Sequence, residues 1–145
     1  MEHPALAEVR RQHVFIENWL AGSGSPDWDL FATALDDDFE MIVPEGTTIP
    51  KHDLLEGFRS ARGTRPGMRI EIRNARVLEQ HSDRAVVRYE EWQLDPTGAN
   101  QRVSTACLQA SKQAPLGWVW TTLHETWLPE PEEECPSKTR SGMDP

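Results

Sequence analysis

The order of hydrophobic patterns along the chain predicts an α+β domain. Apolar residues recur at helical spacing only in the first ~60 residues. From 68 onward they alternate with period two, in long runs separated by tight turns. Helices first and a meander afterwards is the order in which helices cover one face of an antiparallel sheet.

Leu6, Val9, His13, Ile16 and Leu20 form one helical stripe over 4–21, with Pro4 in its first turn and Gly22-Ser23-Gly24-Ser25 beyond its end. Ser25-Pro26-Asp27 opens a second helix with a hydroxyl cap, a proline and an early acid. Its apolar face is Trp28, Phe31, Ala32 and Leu35, and Asp36-Asp37-Asp38 stops it. A short strand over 39–43 follows, then the turn Pro44-Glu45-Gly46 and a second short strand over 47–49. A third helix over 53–62 turns Leu54, Leu55, Phe58 and Ala61 inward and ends at Gly63 and Pro66-Gly67. The run 68–80 is a strand whose phase drifts near Asn74 to Val77, where a bulge is expected. Strands over 84–94, 101–112 and 118–128 complete the meander, joined by turns at Asp95-Pro96-Thr97-Gly98 and Ala114-Pro115-Leu116-Gly117. The domain is therefore read as 1–128. The segment 129–145, with four prolines and with Glu130, Glu132, Glu133 and Glu134, is expected to be a disordered acidic tail.

Composition excludes several function classes. The 145 residues carry a net charge of −9, which argues against nucleic acid and anionic membrane surfaces as partners. No run of about 18 apolar residues is present, and Met1-Glu2-His3-Pro4 does not begin a basic-then-apolar leader. Cys107 in an alternating run and Cys135 in the acidic segment read as free thiols of a reducing compartment, so a cytoplasmic protein is expected. The chain has no Cys-x-x-Cys or His-x-x-x-His spacing and no glycine-rich phosphate loop. No metal and no nucleotide or flavin cofactor is expected.

Three segments carry a family resemblance. Ala34-Leu35-Asp36-Asp37-Asp38-Phe39 looks like a helix end entering a first strand, and Gly46 through Phe58 looks like a loop into a third helix. Gly117-Trp118-Val119-Trp120-Thr121-Thr122-Leu123-His124-Glu125-Thr126-Trp127 resembles the closing strand of the association domain of calcium/calmodulin-dependent kinase. Together with the element order over about 5–128, the chain resembles the nuclear-transport-factor-2-like superfamily, which includes SnoaL-like cyclases, ketosteroid isomerase and scytalone dehydratase. The resemblance implies a cone-shaped, strongly curved sheet with three helices on its concave face. It also implies a pocket between sheet and helices, and homodimers formed through the outer sheet face.

Alternation gives the candidate site residues. On 84–94 one face carries Val86, Arg88, Glu90, Trp92 and Leu94, and the other Ala85, Val87, Tyr89, Glu91 and Gln93. If the mixed faces line the cone, Arg88, Glu90, Arg102 and His124 meet. Arg88-x-Glu90 is then an arginine-held carboxylate able to act as a base; on the outer face the same pair is a cross-strand salt bridge. His124 is either an acid/base or a hydrogen-bonded space filler. Arg88, Glu90 and His124 are the catalytic candidates. Arg102, Trp120, Trp92 and His13 are the ligand-binding candidates, although His13 on a buried stripe also fits a plain core histidine. Superfamily members that hydrolyse epoxides pair such an arginine and acid with a second acid, which has no counterpart here beyond His124. Steroid isomerase chemistry is disfavoured, because Val43 precedes Pro44 where those enzymes have aspartate, and the first helix has no tyrosine. The expected function is a pocket protein for a small apolar organic ligand, with cofactor-free isomerase, dehydratase, cyclase or hydrolase chemistry. The alternative is a non-catalytic homo-oligomerisation module.

Overall fold

The computed structural model describes residues 1–129. The elements are α1 (Pro4–Ala21), α2 (Trp28–Thr33), β1 (Leu35–Ile42), β2 (Thr48–Pro50), α3 (Lys51–Arg59), β3 (Arg69–His81), β4 (Arg84–Asp95), β5 (Gly98–Ala110) and β6 (Trp118–Trp127). The strands form one six-stranded sheet in the order β2-β1-β6-β5-β4-β3. This is the α+β arrangement expected, with one amendment: the sheet is mixed, because β1 lies parallel to β6 while every other pair is antiparallel. β1 and β6 are not hairpin neighbours, so no turn constrains them to opposite directions. The acidic segment and Cys135 fall at 130–145, outside the described residues.

α1 begins where the His3 side chain accepts the Ala5 N–H at 3.0 Å. It ends at Gly22, whose φ of 75° is left-handed, and a Cβ there would meet the Gly63 Cα at 3.0 Å. Glycine is thus needed both for the turn and for the close approach of the loop after α3. That loop satisfies the free carbonyls of the helix end. Gly63 N–H donates to Trp19 O (2.9 Å), Arg65 N–H to Leu20 O (2.8 Å) and Arg62 Nη1 to Asn18 O (2.8 Å).

Rings from all three helices form one cluster. Phe15 stacks on Phe31 at 4.4 Å between centroids and on Trp19 at 5.5 Å; Phe58 meets Phe31 edge-on at 5.2 Å. The Trp19 indole N–H also donates to Phe58 O at 2.5 Å. The sheet side of the core is Phe39, Ala85, Val87, Tyr89, Ala106, Leu108 and Trp120, against Ala5, Leu6 and Val9 of α1.

The structure departs from the sequence reading around α2. Asp27, not Ser25, caps this helix by accepting the Asp29 N–H at 3.0 Å. The helix stops at Thr33, and Asp36, Asp37 and Asp38 belong to β1. They are accommodated by an irregular register, with Leu35 opposite Trp120 and Glu40 already opposite Thr122. The expected drift in β3 appears as register shifts between Arg73 and Arg76 and between Val77 and Glu79.

Phe31 is 2 % exposed and sits at the centre of the ring cluster. Phe31→Ala is expected to destabilise the fold by about 3–5 kcal/mol in chemical denaturation, through lost burial and the cavity left behind.

Candidate active site between helices and sheet

A cavity of about 110 Å³ lies between α1, α2, α3 and the inner face of the sheet. Its wall is apolar on one side, with Ile16, Phe31, Phe39, Leu54, Phe58 and Leu123. The other side is polar, with His13, Glu91, Gln93, Arg102 and Glu125. Strand pairing assembles that polar side. Glu91 on β4 is opposite Arg102 on β5, Tyr89 is opposite Ser104, and Ser104 is opposite Glu125 on β6. α1 brings His13 over this patch, with its ring edge-on to Tyr89 at 5.3 Å.

The hydrogen bonds set the protonation pattern. His13 Nδ1 lies 2.7 Å from Val9 O, and a carbonyl only accepts, so this nitrogen carries a proton. His13 Nε2 lies 3.1 Å from Glu91 Oε1, and Gln93 Nε2 donates to Glu91 Oε2 at 2.7 Å. An imidazolium facing a carboxylate satisfies every one of these contacts. Arg102 Nη1 donates to Glu125 Oε1 at 3.2 Å, Ser104 Oγ to Glu125 Oε2 at 3.4 Å, and Arg102 Nη2 to Asn100 Oδ1 at 2.8 Å. Arg102 Nε is buried and has no partner among the described residues, and the buried Tyr89 hydroxyl has the Ser104 side chain beside it without a hydrogen bond of ordinary geometry. Each such group costs about 1–3 kcal/mol.

The surroundings push the two carboxylates apart. Burial works to raise Glu91, but the His13 charge, the His13 hydrogen bond and Arg102 prevail and hold it well below the usual carboxylate range. Burial raises Glu125, and the negative Glu91 adds to this against the opposing Arg102, leaving it at about 7. Burial opposes the His13 charge, yet Glu91 outweighs it and the imidazole is raised. Burial, Glu91 and Glu125 drive the Tyr89 phenol well above its ordinary value. A carboxylate fixed in its charged form beside one that titrates near neutrality is the pattern of an acid/base site.

The structure brings His13, Arg102 and Trp120 together at this cavity. Trp120 contributes its ring, while its indole N–H is committed to the buried Glu8 at 2.8 Å. Glu8 is also held by Arg11, at 2.9 Å to each carboxylate oxygen.

The placement of Arg88, Glu90, Trp92 and His124 on the cavity is corrected. On β4 the buried side chains are Ala85, Val87, Tyr89, Glu91 and Gln93, so Arg88, Glu90 and Trp92 lie on the opposite face. No ion pair joins Arg88 to Glu90. Arg88 Nε donates to Thr105 Oγ1 (3.1 Å), while Glu90 accepts from Trp92 Nε1 (3.0 Å) and Asn74 Nδ2 (2.9 Å). Those two hydrogen bonds lower the Glu90 pKa. His124 is exposed because a bulge interrupts β6: Leu108 pairs with Trp120 and Cys107 with Thr122, so Thr121 is an extra residue. Trp118 and Trp120 face inward before it, and Leu123 and Glu125 after it.

Glu91, Glu125, Tyr89 and Ser104 were not among the sequence candidates. One signal for them was available. Ala85, Val87 and Tyr89 make the more apolar face of β4, and Glu91 is a charge on that face. Among the described residues, His52, Asp53 and Glu56 on α3 can bring ligand atoms within 4.8 Å of one another, but all three are exposed and stand apart from the cavity.

Comparison with known proteins gives a consistent picture. The family model for the sucrose-6-phosphate phosphohydrolase C-terminal matches residues 5–129. The chain is similar to the crystal structure of an NTF2-like protein of unknown function from Pseudomonas aeruginosa. The two are 36% identical with a TM-score of 0.81, over 88% of this chain and 100% of that one. It shares its fold with the hub of the S. rosetta CaMKII (18% identity, TM-score 0.66, 88% of this chain and 99% of that chain). The same holds for the CaMKII hub homology domain of Chlamydamonas reinhardtii (21% identity, TM-score 0.63, 86% and 99%). No curated protein matches. The resemblance drawn from the three segments is borne out.

The Glu125 shift has a thermodynamic consequence. A carboxylate whose folded pKa is above its unfolded value costs stability when ionised. The cost is absent below pH 4.5, grows as pH rises, and is complete above about 7. Glu125→Gln is therefore expected to exceed the natural protein in stability at pH 8, by on the order of a few kcal/mol, and to lose that advantage at pH 4.5. Urea denaturation at the two pH values measures it, and parallel pH dependence of the two proteins would contradict it.

Proposed function

This chain belongs to the sucrose-6-phosphate phosphohydrolase C-terminal family, with an NTF2-like fold, and from that premise we propose that it is a small-molecule pocket protein equipped for cofactor-free proton transfer. The observation that carries the reading is the pair Glu91 and Glu125 at the polar end of an apolar cavity, one held charged and the other poised near neutrality. Glu125 is the group that takes up or delivers a proton. Arg102, 3.2 Å from its carboxylate, offsets negative charge that develops beside it. The His13–Glu91 pair fixes the local field, and the rings of Phe31, Phe39 and Phe58 line the apolar end of the cavity. Isomerisation, dehydration, cyclisation and hydrolysis all draw on this set. At about 110 Å³ the cavity suits a molecule about the size of one six-membered ring. A disaccharide phosphate exceeds it, so the family's name does not supply the substrate.

The outer face supports a second, compatible role. Leu78 on β3 is 41% exposed. Arg73 packs on Trp92 at 3.8 Å, on the side of the sheet opposite the cavity, which leaves partly apolar surface there. We propose that this face joins two copies in a homodimer.

Uncharged ring-sized compounds are expected to bind with shifts of the His13 and Trp120 ring resonances in NMR spectra. Leu54→Trp, which fills the cavity from a half-buried position, is expected to weaken binding at least tenfold with little loss of stability. Absence of binding by any such compound would remove the pocket reading. Light scattering tests the dimer separately, and a monomer at micromolar concentration would exclude it.

A further inference from the structure

We propose that the ligand of the cavity is elongated: a compact uncharged ring carrying an unbranched hydrocarbon chain, which passes Leu54 and lies in a second apolar space along α3. The inference rests on the pocket reading above and extends the same site.

The second space is an open groove of about 270 Å³. Leu20 of α1, Ile49 of β2, Gly57 and Ala61 form it together with Leu54 and Phe58. Its one charged lining residue is the exposed Asp53. The cavity and the groove share two lining residues, Leu54 and Phe58, one turn apart on α3, and these side chains form the partition between them. Phe58 is its fixed part. The Phe58 ring meets Phe31 edge-on, and its carbonyl accepts the Trp19 indole N–H. Leu54 is half-buried and turns about two single bonds, so a change of its rotamer joins the two spaces. The helix need not move. It is held at both ends, by the Trp19 bond and by Lys51 Nζ, which donates to Leu35 O at 2.8 Å.

Gly57 marks the groove as a ligand site rather than a surface irregularity. It lies within α3 and its φ is not positive, so no left-handed turn demands glycine there. A Cβ at this position would meet nothing within 4 Å, so no close packing demands it either. Glycine weakens a helix relative to alanine. At 57 it therefore weakens α3 and serves no turn or contact of the fold. What the missing side chain leaves is clear floor in the groove beside Leu54 and Phe58. The occupant is a hydrocarbon chain, because Leu20, Ile49 and Ala61 offer no hydrogen-bonding side chain. The chain is unbranched, because the way through is the width of one leucine side chain.

NMR titration of the full chain with benzene, ethylbenzene, butylbenzene and tert-butylbenzene tests this. Affinity is expected to rise about two- to fourfold per methylene from benzene to butylbenzene, as the chain leaves water. The isomer tert-butylbenzene is expected to bind at least tenfold more weakly than butylbenzene, because its branched end does not pass Leu54. Butylbenzene is expected to shift the methyl resonances of Ile49 and Ala61 as well as those of the Trp120 ring, and benzene only the latter. Gly57→Leu, which puts a side chain into the groove, is expected to remove the gain from the chain and to leave benzene affinity unchanged. Gly57→Ala is expected to unfold at a midpoint equal to or above that of the natural protein. Equal affinity for the two butyl isomers, or no gain with chain length, would overturn the inference and leave the pocket reading standing. A Gly57→Ala protein of lower stability would give the glycine a structural purpose and also overturn it. Failure of all four compounds to bind would overturn the pocket reading itself.

Discussion

Charges on the inner face of the sheet have to be answered where water does not reach, and this requirement organises the molecule. Glu91 is 4% exposed and Glu125 3% exposed. A lone carboxylate at either place would be strongly destabilising. Glu91 draws His13 over it, which sets how far α1 is rotated and how far along the sheet it lies. Glu125 requires Arg102 from the neighbouring strand. Once α1 is placed in this way, Phe15 and Trp19 fall where Phe31, Trp28 and Phe58 meet them, and the three helices close over the cavity.

Most of the architecture was legible in the sequence. The α1 stripe through Leu6, Val9 and His13, the hairpins of β4, β5 and β6, and the drift in β3 all leave periodic traces that survive folding. The end of α2 was less legible. Asp36, Asp37 and Asp38 have the composition of a helix stop, but strand backbone also tolerates them where their side chains reach solvent and the pairing is loose. The parallel β1–β6 junction joins residues 82–85 apart in the chain, beyond the reach of any local pattern.

The site was half legible for two distinct reasons. Alternation separates the two faces of a strand but does not say which one is covered. On β4 the choice turned on whether charge or apolar content marks the inside. Val87 and Tyr89, both fully buried, show that apolar content decides, with Glu91 as the functional exception. On β6 the difficulty is of another kind. Trp120 and His124 share a parity in the sequence, and only the extra residue at Thr121 sends them to opposite sides. His13 and Arg102 were reachable because each lies on an uninterrupted stretch.

The irregularity at Thr121 bears on how this strand can be compared with others. A motif match anchored on the aromatic half of β6 counts forward in steps of two and arrives at His124, which looks into solvent. Anchored on the acidic half, the same count runs back from Glu125 through Leu123 to Thr121 and misses the indole that walls the cavity. Functional assignments carried along this segment by motif alone therefore change sides of the sheet midway, and they transfer only between chains whose strands make the same single-residue detour.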